Sequence, residues 1–223
     1  MRRISLVLGV AVVMAAMIAL TVGFALAKDS HPAKTKYTDP ISGYEYNAVS
    51  PRLSATLEGI GQFRATVDQD EDEEDLPGEL DATIYYTGIP GPNVTSEITH
   101  GTWILCSVFK APPIDLNTGA LIEPACDPNS AIQLTGIVRG GTARWREEGS
   151  YVMSPLGTQL WIGIADVKAP LAITGGTVYG VPVEKGSGKF EGTLDHSPLL
   201  LEPDPITDLR QPPTVVGTLR LKF

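Results

Sequence analysis

The acidic run over residues 68–79 is the most conspicuous group of side chains that could do chemistry. Four of its carboxylates fall at positions 1, 3, 5 and 12 of a calcium-loop template: Asp68, Asp70, Asp72 and Glu79. The template needs glycine at its sharp turn, and Glu73 stands there instead. The sequence therefore favours a solvated hairpin tip. Calcium is the alternative, because a bound cation would relieve the repulsion among the clustered carboxylates.

Three histidines, His31, His100 and His196, are the next candidates. Asp195 directly precedes His196, but adjacent residues of a strand point to opposite faces and cannot easily act on one another. No Gly-x-Ser-x-Gly motif occurs, and separated histidines do not form a zinc pattern. The sequence favours a protein that is not an enzyme. It predicts no cofactor, with calcium as the alternative. His196 is kept as a candidate ligand-binding residue.

Asp166 is the second candidate ligand-binding residue. It shares one strand face with Leu160, Ile162 and Ile164. A carboxylate on an apolar face could lie inside a cavity, where burial raises its pKa and lets it fix a ligand. The alternative, which the sequence favours, places Asp166 at the rim where the strand ends.

Cys106 and Cys126 are the two cysteines of the chain. In an oxidising compartment, an even pair without other partners most simply forms a disulfide. A reactive thiol would need an electropositive setting, which the flanking residues do not supply. The sequence therefore predicts a Cys106–Cys126 disulfide.

Alternation of apolar and polar residues is the pattern that must position these side chains. Residues 55–67 and 80–86 both alternate, which predicts a β-hairpin joined by the acidic run. The same period recurs over residues 132–138, 143–148 and 215–223, and no segment after residue 28 has a sustained helical period. Short strands separated by Gly and Pro indicate an all-β sandwich or barrel. A strand ending on the last residue usually closes such a sheet.

Glycine-rich segments at residues 172–179 and 186–194, and the closing segment 217–223, resemble the allene oxide cyclase and dirigent superfamily. The resemblance covers residues 130–223. Val178 replaces a glycine usual in that family, and residues 181–183 are an insertion. The resemblance implies a single antiparallel barrel of about eight strands, of the calycin kind, around a central cavity. It carries over no activity, because no catalytic residue of the family can be matched to a position in this chain.

The amino terminus has the layout of a signal peptide. Arg2 and Arg3 precede an apolar run that ends on small residues at Ala27. A retained anchor is the alternative, because the run is nearly long enough to span a bilayer. The predicted organisation is a signal peptide over residues 1–27, a flexible arm or linker over 28–50, and a β-barrel domain over 51–223.

The charge of the chain bears on its partners. The formal net charge is −9, which repels nucleic-acid phosphates and anionic lipid head groups. We therefore expect a secreted or otherwise extracytoplasmic protein that binds no nucleic acid and does not insert into a membrane once the signal is cleaved. The leading hypothesis is a non-catalytic barrel that binds a small apolar ligand or a surface partner. The alternatives are a cavity-type isomerase, cyclase or dirigent-like protein, and a calcium-binding structural protein of the cell envelope.

Overall fold

A computed structural model describes residues 36–51, 57–67, 76–115, 117–153, 159–200 and 212–223. These residues belong to one compact unit, Thr35–Phe223. The predicted signal peptide lies outside them, as do Asp68, Asp70 and Asp72 of the candidate calcium loop. Within the described ranges, no helix has the length and apolar character needed to cross a membrane.

The described residues form strands and one short 3₁₀ turn, Ser197–Leu200. The strands are β1 Lys36–Val49, β2 Gly59–Val67, β3 Gly78–Thr87, β4 Thr95–Cys106, β5 Ile132–Val138, β6 Gly141–Met153, β7 Gln159–Val178, β8 Val181–Val183, β9 Gly186–Asp195 and β10 Thr214–Lys222.

The strands close into an antiparallel barrel of eight positions. Going round the barrel, each position pairs with the next in the order β1, β2, β3, β4, β5 together with β6, β7, β9 and β10. The last strand, β10, pairs with β1. Most neighbours round the ring are consecutive strands of the chain, and the pairing of β10 with β1 closes the ring. The prediction of an all-β antiparallel barrel is confirmed. The short β8 lies off this path and pairs with the end of β7.

β5 and β6 share one position of the barrel because they continue one another along β4. Gly101 of β4 pairs with Val138 at the end of β5, and Ile98 pairs with Gly141 at the start of β6. Gly140 and Gly141 between them have φ values of 112° and 139°, which L side chains rarely adopt. Glycine at these positions therefore lets one long strand bend without leaving the sheet.

Alternation along the strands sorts side chains into a core and an outer face. On β10, Val215, Leu219 and Leu221 are buried, whereas Val216 is 48% exposed. Aromatic rings fill part of the interior beside glycines. A Cβ on Gly136 would lie 2.2 Å from the Trp103 ring. The barrel interior is thus packed mainly by apolar side chains, whose burial drives folding.

The position of β1 differs from the predicted domain organisation. The sequence predicts a flexible arm over residues 28–50, but Lys36–Val49 form a strand between β2 and β10. The barrel therefore begins at Lys36 rather than at residue 51. The pattern was hidden because Asp39 and Glu45 occupy buried positions where alternation calls for apolar residues.

The predicted disulfide between Cys106 and Cys126 is confirmed. It joins the end of β4 to the connection that leads to β5. Phe109 in this connection pairs with Cys126 as an isolated bridge, and its ring lies 3.7 Å from the Arg64 guanidinium. The disulfide therefore fixes the connection close to β2.

Candidate functional site

The barrel encloses a cavity of about 90 Å³. Most of its lining is aliphatic or aromatic and comes from strands all round the barrel. These side chains include Ile41, Phe63, Ile98, Trp103, Val167 and Phe190. Ligand pockets in proteins have this character, with a largely apolar wall and a few polar groups that fix orientation.

Glu45 and His196 are titratable residues that line the cavity. Glu45 Oε2 and His196 Nε2 lie 2.9 Å apart, and the two side chains are 5% and 15% exposed. The two atoms are close enough to form an ion pair when the imidazole is protonated. Among the described residues, neither atom has another hydrogen-bond partner. Each atom is buried against the other, so a polar group that enters the cavity would bond to them by inserting between the two side chains.

The strand register brings Glu45 and His196 together from opposite ends of the chain. Tyr44 of β1 pairs with Thr214 of β10, and Thr214 in turn pairs with Asp195 of β9. Glu45 follows Tyr44 in the chain and His196 follows Asp195, so both residues lie next to this row of paired residues. Two backbone hydrogen bonds hold them there: Glu45 N–H donates to Pro213 O at 2.9 Å, and His196 N–H donates to Gly163 O at 3.0 Å.

Three further polar or aromatic residues line the cavity with this pair. Trp145 stands edge-on to the His196 imidazole, with ring centroids 5.1 Å apart. The Trp145 indole N–H donates to Ser96 Oγ at 3.2 Å. Burial, and then the nearby Glu45 carboxylate, raise the pKa of the Tyr86 hydroxyl. Tyr86 therefore stays protonated at neutral pH and remains a hydrogen-bond donor.

The arrangement can bind and orient a polar group within an apolar space. A buried imidazole beside a carboxylate can also take up or release a proton. Removal of either side chain would leave the other buried without its polar partner, which destabilises the folded state.

The structure separates the two predicted ligand-binding residues. His196 lines the cavity. Asp166 lies on the outer face in the middle of β7, where its Oδ1 accepts a hydrogen bond from Arg146 Nη2 at 2.7 Å. This bond lowers the pKa of the Asp166 carboxyl. Asp166 is thus neither a cavity carboxylate nor a residue at the end of its strand, because the inward face of β7 carries Ala165 and Val167.

Sequence reasoning missed Glu45, the partner of His196. The alternation of Tyr37, Asp39, Ile41, Gly43 and Glu45 was the signal that could have found it. The pattern does not stand out, because two of these five inward positions are acidic.

The candidate calcium residues are only partly within the described chain. Glu79 lies on β3, where its Oε2 accepts a hydrogen bond from Arg64 Nη1 at 3.2 Å. In the part of the chain that the structure describes, no group of three or more His, Cys, Asp or Glu side chains could hold a metal ion. Calcium binding by Asp68, Asp70, Asp72 and Glu79 stays a prediction. Comparison of the chain with family models, curated proteins and solved structures gave no match.

Proposed function

We propose that the protein is an exported barrel that binds a small, mainly apolar ligand in its interior. The ligand's polar group would lie against Glu45 and His196. The observation that carries this proposal is an apolar cavity with a buried ion pair whose facing atoms lack other partners within the described residues. Buried polar groups are normally hydrogen-bonded, so such a pair suits an added polar group.

The size of the cavity limits the ligand. At about 90 Å³ it is smaller than the engineered apolar cavity of roughly 150 Å³ that takes up benzene. The ligand we propose is therefore a short aliphatic or small cyclic molecule with one hydroxyl or carbonyl group. A longer molecule would have only its end in the cavity.

Methyl NMR tests this proposal directly. Xenon and small alcohols or ketones, such as 2-butanol and cyclopentanone, should shift the methyl signals of Ile41, Ile84 and Ile98. His196→Gln should weaken the response to the alcohol and ketone while sparing that to xenon, which makes no hydrogen bonds. His100→Gln is the matched control, because the His100 side chain is 57% exposed and stacks on Tyr85 outside the cavity. Cavity methyl signals that respond to none of these molecules would rule out the ligand.

Export is the second part of the proposal. The amino-terminal sequence supports it, and a disulfide is compatible with an oxidising compartment outside the cytoplasm. Mass spectrometry of the protein recovered from its native host should give a chain that begins at Lys28. A full-length chain in the membrane fraction would favour the retained anchor instead.

A cavity enzyme is the second candidate function, and the Glu45–His196 pair favours it. An imidazole and a carboxylate in a water-poor space could move a proton on a bound carbonyl compound, as an isomerase or cyclase requires. The resemblance to the allene oxide cyclase and dirigent superfamily suits this reading. The test is exchange of the α-protons of cyclopentanone in D₂O. Exchange that the protein accelerates and that Glu45→Gln abolishes would support it, and exchange at the buffer rate would not.

A further inference from the structure

A second hollow lies on the outside of the barrel, separate from the interior cavity. It measures about 440 Å³, is open to solvent, and lies between the outer face of β1–β3 and residues 107–113 of the disulfide-linked connection. This volume is in the range of small-molecule sites. Nothing in the proposed interior function uses it.

Two cross-strand rows form the floor of this hollow. Tyr44, Arg64 and Asp81 pair across β1, β2 and β3, and Ser42, Thr66 and Glu79 pair in the next row. The three strands therefore provide the hollow with the hydroxyls of Ser42 and Thr66, the Glu79 carboxylate, the Arg64 guanidinium and the Tyr44 side chain.

Arg64 is the unusual residue of this floor, because it is only 5% exposed although it points away from the barrel interior. Its Nε donates to Asp81 Oδ2 at 3.0 Å, and its Nη1 donates to Glu79 Oε2 at 3.2 Å. The Phe109 ring covers its guanidinium. Arg64 Nη2 is buried and has no hydrogen-bond partner among the described residues. Because buried donors are normally satisfied and Arg64 lines the hollow, Nη2 is the donor that an acceptor in the hollow would satisfy.

The charges around Arg64 show what kind of acceptor fits. Asp81 and Glu79 already offset the guanidinium, and the whole chain is acidic, so an added anion would be repelled. A cation would meet the Arg64 guanidinium. A neutral ligand with several oxygens can accept from Nη2 and donate to Glu79, whose side chain is 46% exposed. The Tyr44 ring, 37% exposed, offers a surface for an apolar ring face.

We propose that this hollow is a binding site for a neutral sugar. Its hydroxyl oxygens would accept from Arg64 Nη2, its O–H groups would donate to Glu79, Ser42 and Thr66, and its C–H face would lie on Tyr44. The disulfide pre-forms the site, because Cys126 holds Phe109 over Arg64.

NMR titration of the purified protein tests the sugar site. The probes are glucose, galactose, mannose and N-acetylglucosamine, each as the monomer and as a soluble oligomer, which separates a free sugar from a glycan chain. At least one should shift the Arg64 Nε–Hε and Tyr44 ring signals at millimolar concentration. Arg64→Lys keeps the charge but removes Nη2, and should weaken binding by about tenfold or more, the effect of one lost hydrogen bond to a charged group.

Two further variants keep the test decisive if Arg64→Lys does not fold. Tyr44→Ala changes an exposed ring and should weaken binding, while Tyr179→Ala, the matched control at a 59% exposed tyrosine, should leave it unchanged. Reduction of the disulfide should also weaken binding. Shifts produced by acetate but by no sugar would indicate a carboxylate site and overturn the proposal. Signals unchanged by every sugar would mean that only water satisfies Arg64 Nη2, and would overturn it as well.

Discussion

The Glu45–His196 contact is the residue pair on which the interior site depends. Charges taken out of water are costly, and a partner in close contact offsets that cost only while both groups are present. Glu45 and His196 lie 2.9 Å apart and both are largely buried, so in this pair each is the close polar partner of the other. Its two members should therefore be strongly coupled in stability.

A double-mutant cycle measures that coupling. We expect Glu45→Ala and His196→Ala each to lower the free energy of unfolding by about 1–3 kcal/mol, because each leaves a buried polar side chain without its partner. The double variant should lose clearly less than the sum of the two. Urea unfolding followed by tryptophan fluorescence gives all four values. If the losses of unfolding free energy were additive, the two side chains would not interact.

Asp166 offers a prediction about pH. Its hydrogen bond with Arg146, with a smaller contribution from the charge of Arg144, lowers its pKa. A lowered pKa favours the ionised form in the folded state, so the stabilisation is present above the ordinary pKa of aspartate. It is lost as the pH falls through the lowered value.

Carboxyl-carbon NMR should show this titration. In Arg146→Ala the pKa of Asp166 should rise toward the ordinary aspartate value, whereas Arg144→Ala should raise it much less. The melting temperature should hardly change in either variant, because exposed ion pairs contribute little. Equal effects of the two arginines on the pKa would contradict the assigned hydrogen bond.

At the scale of the strands, the sequence predicts those elements whose inward positions are all apolar or glycine. The β2–β3 hairpin and β10 meet that condition and are found where alternation places them, except that β2 begins only at Gly59. Leu57, within the predicted segment 55–67, is 80% exposed. β1 does not meet it, because buried Asp39 and Glu45 interrupt the pattern. For the same reason, the sequence pattern did not identify Glu45, one of the two residues of the candidate site. His196 could be singled out as a residue type, but its contact with Glu45 depends on how β9, β10 and β1 pair.

The acidic run between β2 and β3 carries the calcium prediction. If Asp68, Asp70 and Asp72 bind calcium together with Glu79, millimolar calcium should raise the melting temperature, because a ligand that binds only the folded state stabilises it. Magnesium at the same concentration is the control for ionic strength. Replacement of the three aspartates by asparagine should abolish the rise. A melting temperature that calcium leaves unchanged would identify the run as a solvated hairpin tip.

At the scale of the whole molecule, the closure between β1 and β10 joins the two ends of the described chain. A closed barrel satisfies the backbone of every strand in the ring, so opening one seam exposes two edges and the interior together. We therefore expect the barrel to unfold as one cooperative unit. Substitution of a buried residue of β10 should destabilise the whole barrel. The inward and outward residues of β10 provide a matched comparison.

Leu219 and Val216 test this expectation on the same strand. Leu219 is 0% exposed in the core, and Leu219→Ala should lower the free energy of unfolding by about 2–5 kcal/mol through the cavity it leaves. Val216 is 48% exposed, and Val216→Ala should cost about 0.5 kcal/mol or less. In each variant, tryptophan fluorescence and far-ultraviolet circular dichroism should give the same unfolding midpoint. The tryptophans lie on β4, β6 and β7, so their fluorescence responds to opening of the β1–β10 pairing only if the whole barrel unfolds with it. Separate midpoints would mean that β10 detaches while the remaining strands stay folded, and that closure of the barrel does not hold the interior site together.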